Sequence, residues 1–189
     1  STPSVDGGKV YVFSSRLALC CLNAATGKEL WRKDLVAEHA GRLISWQNPS
    51  SPLIDGDLVF VAGAGARQSL LGFNKSNDRV VWKGQDDPMT HSTPTAATIL
   101  GVRQVIFFTQ RGLVSVTPAT GAVLWRQPFP FNTSTAMTPI VADDVVYCSA
   151  GYGVGSGAYK ISKSGNSFTS KEIWFKPANV FNNHWSTPV

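Results

Sequence analysis

Apolar and polar residues alternate over short stretches of this chain: KVYVFS from Lys9, LVFVAG from Leu58, QVIFFT from Gln104 and VVYCSA from Val145. Alternation with a period of two marks a strand with one face turned inward. Each stretch follows a turn-forming segment (VDGGK, IDGD, ILGVRQ, VADD) and precedes a second apolar run (RLALCCLN, SLLGFN, LVSVTP, GAYKIS). Another turn, AATG, KSND, ATG or KSGNS, then leads to a run closed by tryptophan: KELW at Trp31, RVVW at Trp82, AVLW at Trp125 and KEIW at Trp174. Gly, Asp, Asn and Pro bound the runs and no window carries a helical stripe, so the regular elements are predicted as strands.

The order repeats. The four tryptophans are 51, 43 and 49 residues apart, and prolines in Ser-Thr-Pro-like triplets at 3, 52, 94, 139 and 188 are 49, 42, 45 and 49 apart. Two markers in step define a repeat, and each repeat reads as a four-stranded antiparallel meander. One such sheet cannot bury both faces, so neighbours must stack, and radial stacking gives a β-propeller. The predicted fold is therefore all-β, a partial propeller domain with blades at about 1–49, 50–91, 92–136 and 137–185, and with 186–189 opening a further blade. Trp31, Trp82, Trp125 and Trp174 are expected to be plates wedged between blades. Gly27 and Gly121 are expected to supply the positive φ that the turn before each tryptophan requires.

Composition narrows the function classes. The formal charge is +5, but Arg16, Lys28, Arg32, Arg42, Arg67, Lys75, Lys83 and Lys171 are scattered, with no basic block. Nucleic acid is therefore not expected as a partner. No apolar run approaches the roughly 18 residues of a membrane span. The opening STPSVDGG has neither the basic start nor the apolar core of a secretion leader. Cys20, Cys21 and Cys148 show no metal-ligand spacing, and along a strand Cys20 and Cys21 point to opposite faces and pack as small apolar groups.

CLNAATGKELW, Cys21 to Trp31, resembles the blade motif Ala-x-Asp-x-x-Thr-Gly-Lys-x-x-Trp of the pyrroloquinoline-quinone (PQQ) type propellers, the quinoprotein alcohol dehydrogenase-like and BamB-type repeat family. Cys21 stands for the Ala and Asn23 for the Asp. SVTPATGAVLW keeps Thr120, Gly121 and Trp125 with Ser115 and Thr117 in the first two places; GFNKSNDRVVW keeps Trp82 with Asn74 at the Asp place. The fourth unit places Ile161 there, and its stretch from Gly165 to Trp174 is five residues longer than the first. The resemblance implies a ring of seven or eight blades, of which four are present, completed by further blades or by self-association of half rings.

In such a propeller the proline-marked strand lines the channel, and the connections from outer to inner strand cross towards its mouth. Those connections are DLVAEHAGRLISWQNPS, KGQDDPMTH, RQPFPFNTSTA and FKPANVFNNHW. They hold His39, His91 and His184, the tryptophans outside the motif (Trp46, Trp185) and the amides Asn48, Asn132, Asn182 and Asn183. Arg42, Trp46, Asn48, His91, Asn132, His184 and Trp185 are the candidate ligand-binding set; the competing reading is loop-to-loop hydrogen bonding. Arg67 and Tyr152, in the glycine-rich loops 62–69 and 149–157, could reach the same mouth, but neither loop leads into a helix as a phosphate-binding loop must. Asp143 and Asp144 read as turn formers, whereas Asp86 and Asp87 lie in a channel-side loop. No catalytic and no metal-binding residue is assigned. The expected function is a non-enzymatic binding or scaffold module outside the cytoplasm, periplasmic by resemblance, taking a protein or small-molecule ligand at the channel face. The alternative is part of a PQQ-dependent alcohol or sugar dehydrogenase, which would need PQQ with Ca2+.

Overall fold

A computed structural model describes residues 1–177, 180–181 and 183–187. Asn182 and Pro188, named above, lie outside them. The described chain forms four four-stranded antiparallel sheets, each in sequence order, the blades of an incomplete four-blade β-propeller. Blade 1 holds β1 (Ser4–Asp6), β2 (Lys9–Phe13), β3 (Ala18–Asn23) and β4 (Glu29–Asp34); blade 2 holds β5 (Leu53–Asp55), β6 (Leu58–Ala62), β7 (Leu70–Asn74) and β8 (Val80–Gly84). Blade 3 holds β9 (Thr95–Ile99), β10 (Val102–Thr109), β11 (Gly112–Val116) and β12 (Val123–Pro128); blade 4 holds β13 (Ile140–Ala142), β14 (Val145–Ala150), β15 (Gly155–Ser164) and β16 (Ser167–Pro177). The chain divides into two compact units, residues 1–89 with 119–121, and residues 90–118 with 122–189.

The four blades share one register. Tyr11, Cys21 and Trp31 face one another across three strands, as do Phe60, Gly72 and Trp82, then Ile106, Ser115 and Trp125, then Tyr147, Ala158 and Trp174. Beside each of these rows the pairing of the third and fourth strands slips by one residue: at Cys21/Leu22, Gly72/Phe73, Ser115/Val116 and Ala158/Tyr159. A bulge at a fixed place re-aims the side chain beside it, here the tryptophan. The residue paired with each tryptophan is small: Cys21, Gly72, Ser115 or Ala158. A Cβ added at Gly72 would stand 2.7 Å from Trp82 Nε1. This register puts Lys160 at the Asp place of the blade motif in blade 4 and corrects the reading of Ile161. The longer hairpin, paired as far as Ser164 and Ser167, had hidden the frame.

In the first unit the turns before the last strand share a second device. Asn23 Oδ1 accepts from the amides of Ala25 and Thr26 at 3.0 and 2.9 Å, and Asn74 Oδ1 from those of Ser76 and Asn77 at 2.9 and 3.2 Å. Four residues after each asparagine the chain takes a positive φ, +71° at Gly27 and +59° at Asp78; Gly121 takes +68° in the corresponding turn of blade 3. Blade 1 docks on blade 2 through this turn: Trp31 Nε1 and Tyr11 Oη both donate to the Lys75 carbonyl, at 3.2 and 3.1 Å. The Ser-Thr-Pro triplets latch neighbouring inner strands. The Thr2 amide donates to Ser51 Oγ in the first unit and the Thr138 amide to Thr187 Oγ1 in the second, while Ser92 Oγ donates to the Met137 carbonyl.

Each unit has its own apolar core. Phe13, Leu19, Val59, Val61 and Phe73 are at most 1% exposed in the first; Ile106, Val146, Cys148, Tyr159 and Ile161 are equally closed in the second. Cys20 and Cys21 lie on opposite faces of β3, and all three cysteines are buried free thiols. One element departs from the all-strand expectation: a single helical turn, α1 (Leu35–His39), capped by Asp34, whose carboxylate accepts from the Val36 and Ala37 amides. Glu38 reaches back to the Asp34 amide at 3.0 Å, a reciprocal cap that secures a helix too short to show a periodic stripe. No described helix is long and apolar enough to cross a membrane.

Candidate functional site

The seven candidate residues divide between the units. In the first, Asn48 is 3% exposed and its side chain is fully engaged locally: Nδ2 donates to the Ser14 carbonyl at 3.2 Å, and Oδ1 accepts from Ser50 N and Oγ. Arg42 is exposed and its amide donates to the Gly63 carbonyl at 3.3 Å. Trp46 is 66% exposed in a left-handed backbone conformation, φ +64°. The glycines of loop 62–69 serve α1. Gly65 N donates to the His39 carbonyl at 2.8 Å, and a Cβ at Gly65 would stand 2.7 Å from the Ala40 carbonyl oxygen. Arg67 and Asp86 are joined by the Arg67 amide donating to Asp86 Oδ1, while Asp87 is 1% exposed and its amide donates to Ser69 Oγ at 2.9 Å.

In the second unit the connections bring His91, Asn132, His184 and Trp185 together with Tyr152. His184 is the centre. Its Nδ1 accepts from the Gly151 amide at 3.0 Å, which fixes the neutral ring as the Nε2–H tautomer. A Cβ at Gly151 would lie 2.6 Å from His184 Cγ, so this glycine of loop 149–157 is what lets the imidazole approach. Tyr152 and Trp185 stand edge-on to the ring at centroid distances of 4.7 and 4.2 Å. Trp185 also stacks on His91 at 6.2 Å and 24°. Asn132 Nδ2 donates to the Tyr152 carbonyl at 2.9 Å, tying its connection to the loop 149–157. His184 Nε2 is buried with no hydrogen-bond partner among the described residues.

Burial, and secondarily the neighbouring His91, holds the His184 imidazole below its ordinary value. Ser134, which the sequence reading missed, lies against His91 Nδ1. A serine beside an imidazole suggests a nucleophile and its base. Ser134 and His91 are each 3% exposed, however, so the hydroxyl is closed to a substrate and the pair braces the loop. The signal that could have found it is the hydroxyl run NTSTAMTP before Pro139.

What the cluster offers to solvent is aromatic. Trp185 is 59% and Tyr152 51% exposed, over the imidazoles of His91 and His184. Calcium beside a quinone needs several oxygen ligands, carboxylates above all. The cluster supplies imidazole, indole, phenol and amide groups, and no group of three or more His, Cys, Asp and Glu that could hold a metal occurs among the described residues. The adjacent cysteines lie in a sheet on opposite faces, and these residues do not fit PQQ with Ca2+.

Comparisons with known proteins agree with the repeat. No curated protein sequence matches the chain. Among solved structures the chain is similar to BamB from Moraxella catarrhalis, with a TM-score of 0.62 at 18% identity over 92% of this chain and 60% of that one. It is similar to the quinohemoprotein alcohol dehydrogenase from Comamonas testosteroni, with a TM-score of 0.59 at 14% identity over 93% of this chain and 34% of that one. The computationally designed Ika4 protein gives 0.50 at 11% identity over 92% and 88%. At these identities the likeness establishes the fold, and the chain spans about three fifths of the BamB structure and a third of the dehydrogenase. The family model described as outer membrane protein assembly factor BamB matches residues 1–186, and the chain belongs to that family.

Proposed function

We propose that this chain is a non-enzymatic binding module that works outside the cytoplasm and holds a protein partner through the aromatic ledge of its second unit. The observation that carries the reading is the pair Tyr152 and Trp185, both more than half exposed and both fixed against His184. Exposed aromatics held rigid by a buried scaffold are the groups that anchor protein interfaces, because they bury large area at little cost in ordering. Neither Tyr152 nor Trp185 carries a charge, which favours an apolar or aromatic segment over an acidic or basic one. His91 and Ser134 act beneath it as supports. Membership of an assembly-factor family suggests as partner an extended segment with alternating aromatic and polar residues, the pattern of outer-membrane barrel strands.

The test is a synthetic peptide of that pattern, followed by tryptophan fluorescence. Binding that disappears in Trp185→Ala, while Trp46→Ala binds normally, supports the reading; no binding, or loss in both variants, overturns it. PQQ with Ca2+ provides the discriminating arm. A ligand bound by the folded form alone must raise the thermal midpoint. A rise at micromolar PQQ would replace the binding module by the dehydrogenase reading.

A further inference from the structure

The aromatic ledge of the second unit rests on a hydrogen bond that only a neutral imidazole can make. His184 Nδ1 accepts from the Gly151 amide at 3.0 Å. A protonated imidazole carries N–H on both nitrogens and accepts nothing, so two donors would face each other across that distance. The ring lies hard against the backbone there: a Cβ at Gly151 would stand 2.6 Å from His184 Cγ. An acceptor at the far nitrogen could compensate, but His184 Nε2 is buried with no partner among the described residues. Charge on this ring therefore breaks one hydrogen bond and gains none.

The surroundings give that charge no relief. Loop 149–157 contributes Gly151 and the Tyr152 phenol, and Trp185 stands beside the ring. The connection before β13 contributes Ala136, whose amide donates to the His184 carbonyl at 3.0 Å. The connection before β9 contributes His91, the ionisable neighbour that acts on the ring, and it opposes a second positive charge; no carboxylate acts there among the described residues. Burial opposes the charge more strongly still, so the ring stays neutral until the pH lies below the ordinary 6.5. Tyr152 and Trp185 both stand edge-on to this imidazole, and Asn132 secures only the Tyr152 carbonyl, so the two aromatic side chains lose their common support if the ring moves. We propose that His184 is an acid-released pin of the ledge: protonation frees the imidazole from Gly151, Tyr152 and Trp185 part, and the bound segment leaves. This pin rests on the binding role proposed above for the ledge and adds a condition to it, holding near neutral pH and release in mild acid. Blade 1 carries the same position in a form that does not titrate. Asn48 stands four residues before the proline of its triplet, as His184 does, and is hydrogen-bonded to Ser14 and Ser50.

The experiment follows the chain by nuclear magnetic resonance from about pH 7.5 to about pH 5, reading the imidazole nitrogens of His184 and His91, the Gly151 amide and the Trp185 ring protons. The Gly151 and Trp185 signals are expected to move with the midpoint of His184. In His184→Asn, whose amide oxygen can take the place of Nδ1 without titrating, both are expected to stay. Signals that follow His91 instead, that stay fixed while His184 titrates, or that move alike in the variant would overturn the proposal, as would a His184 ring that is neutral throughout. The wild-type signals decide even where the variant does not fold. In a second arm the affinity for the peptide described above should fall about tenfold for each pH unit below the His184 midpoint, because only the neutral form is competent, and less than about twofold in His184→Asn. Equal losses in the two proteins would overturn the pin. A peptide that binds at no pH counts against the binding role itself, while the resonances still decide whether the ledge comes apart.

Discussion

Gly27→Ala and Gly121→Ala make the same chemical change in the same turn conformation, at φ +71° and +68°, but in different surroundings. Placing a Cβ on a left-handed residue costs about 1–2 kcal/mol. At Gly27 that is the whole cost, since the added carbon meets nothing within 4 Å. At Gly121 the carbon collides with the Trp82 ring, which is 7% exposed and cannot swing into solvent. Overpacking of this kind adds about 1–3 kcal/mol, so Gly121→Ala should lose roughly 2–5 kcal/mol against about 1–2 for Gly27→Ala. Urea unfolding followed by circular dichroism reads the difference, provided the slopes agree. Equal losses within about 0.5 kcal/mol would refute the docking of Trp82 on that turn.

Other outcomes follow from the same geometry. Trp82→Ala should cost about 3–5 kcal/mol as a buried aromatic, while Trp46→Ala, at an exposed site, should change stability by no more than about 0.5 kcal/mol. Burial holds His39 and His184 below the ordinary value of 6.5, so the unfolded chain binds protons that the folded one refuses. Their contribution is complete above pH 6.5 and is lost as pH falls towards the folded values. Urea midpoints should therefore drop between about pH 7 and about pH 5, and less so in a His39→Gln, His184→Gln double variant. Burial raises all three thiols above their usual range, so a thiol reagent should find none in the native chain and three after denaturation.

Much of this fold can be read along the chain because it is written four times. The tryptophan and proline markers locate blades without any reference to contacts, and alternation assigns β2, β6, β10 and β14 directly. What the markers do is not legible in one dimension. The Ser-Thr-Pro latch needs Thr2 and Ser51, 49 residues apart, to be neighbours. The bulge beside each indole appears only in the pairing. Blade 4 misleads because inserting residues into its hairpin shifts the frame by one, which puts Lys160 where Ile161 is read. The helix α1 escapes because one turn has no period; its only sequence signal is Asp34 with Glu38. For the candidate site, the connections between blades pointed to His91, His184 and Trp185 as candidates, but the glycine that admits His184 and the serine under His91 have no signature of their own. Asn48 shows the converse: a polar residue at a promising spacing whose side chain is taken up by Ser14 in the β2–β3 turn and by Ser50.

Deuterium exchange of the six indole N–H groups, resolved by nuclear magnetic resonance, tests the blade architecture most directly. Trp31 donates to the Lys75 carbonyl and Trp125 to Gln104 Oε1 at 2.7 Å, and Trp82 is buried, so these three should exchange slowly. Trp185, 59% exposed, should exchange at once. Six indoles exchanging alike, or any of Trp31, Trp82 and Trp125 among the fast ones, would contradict the stacking of blades on their tryptophans.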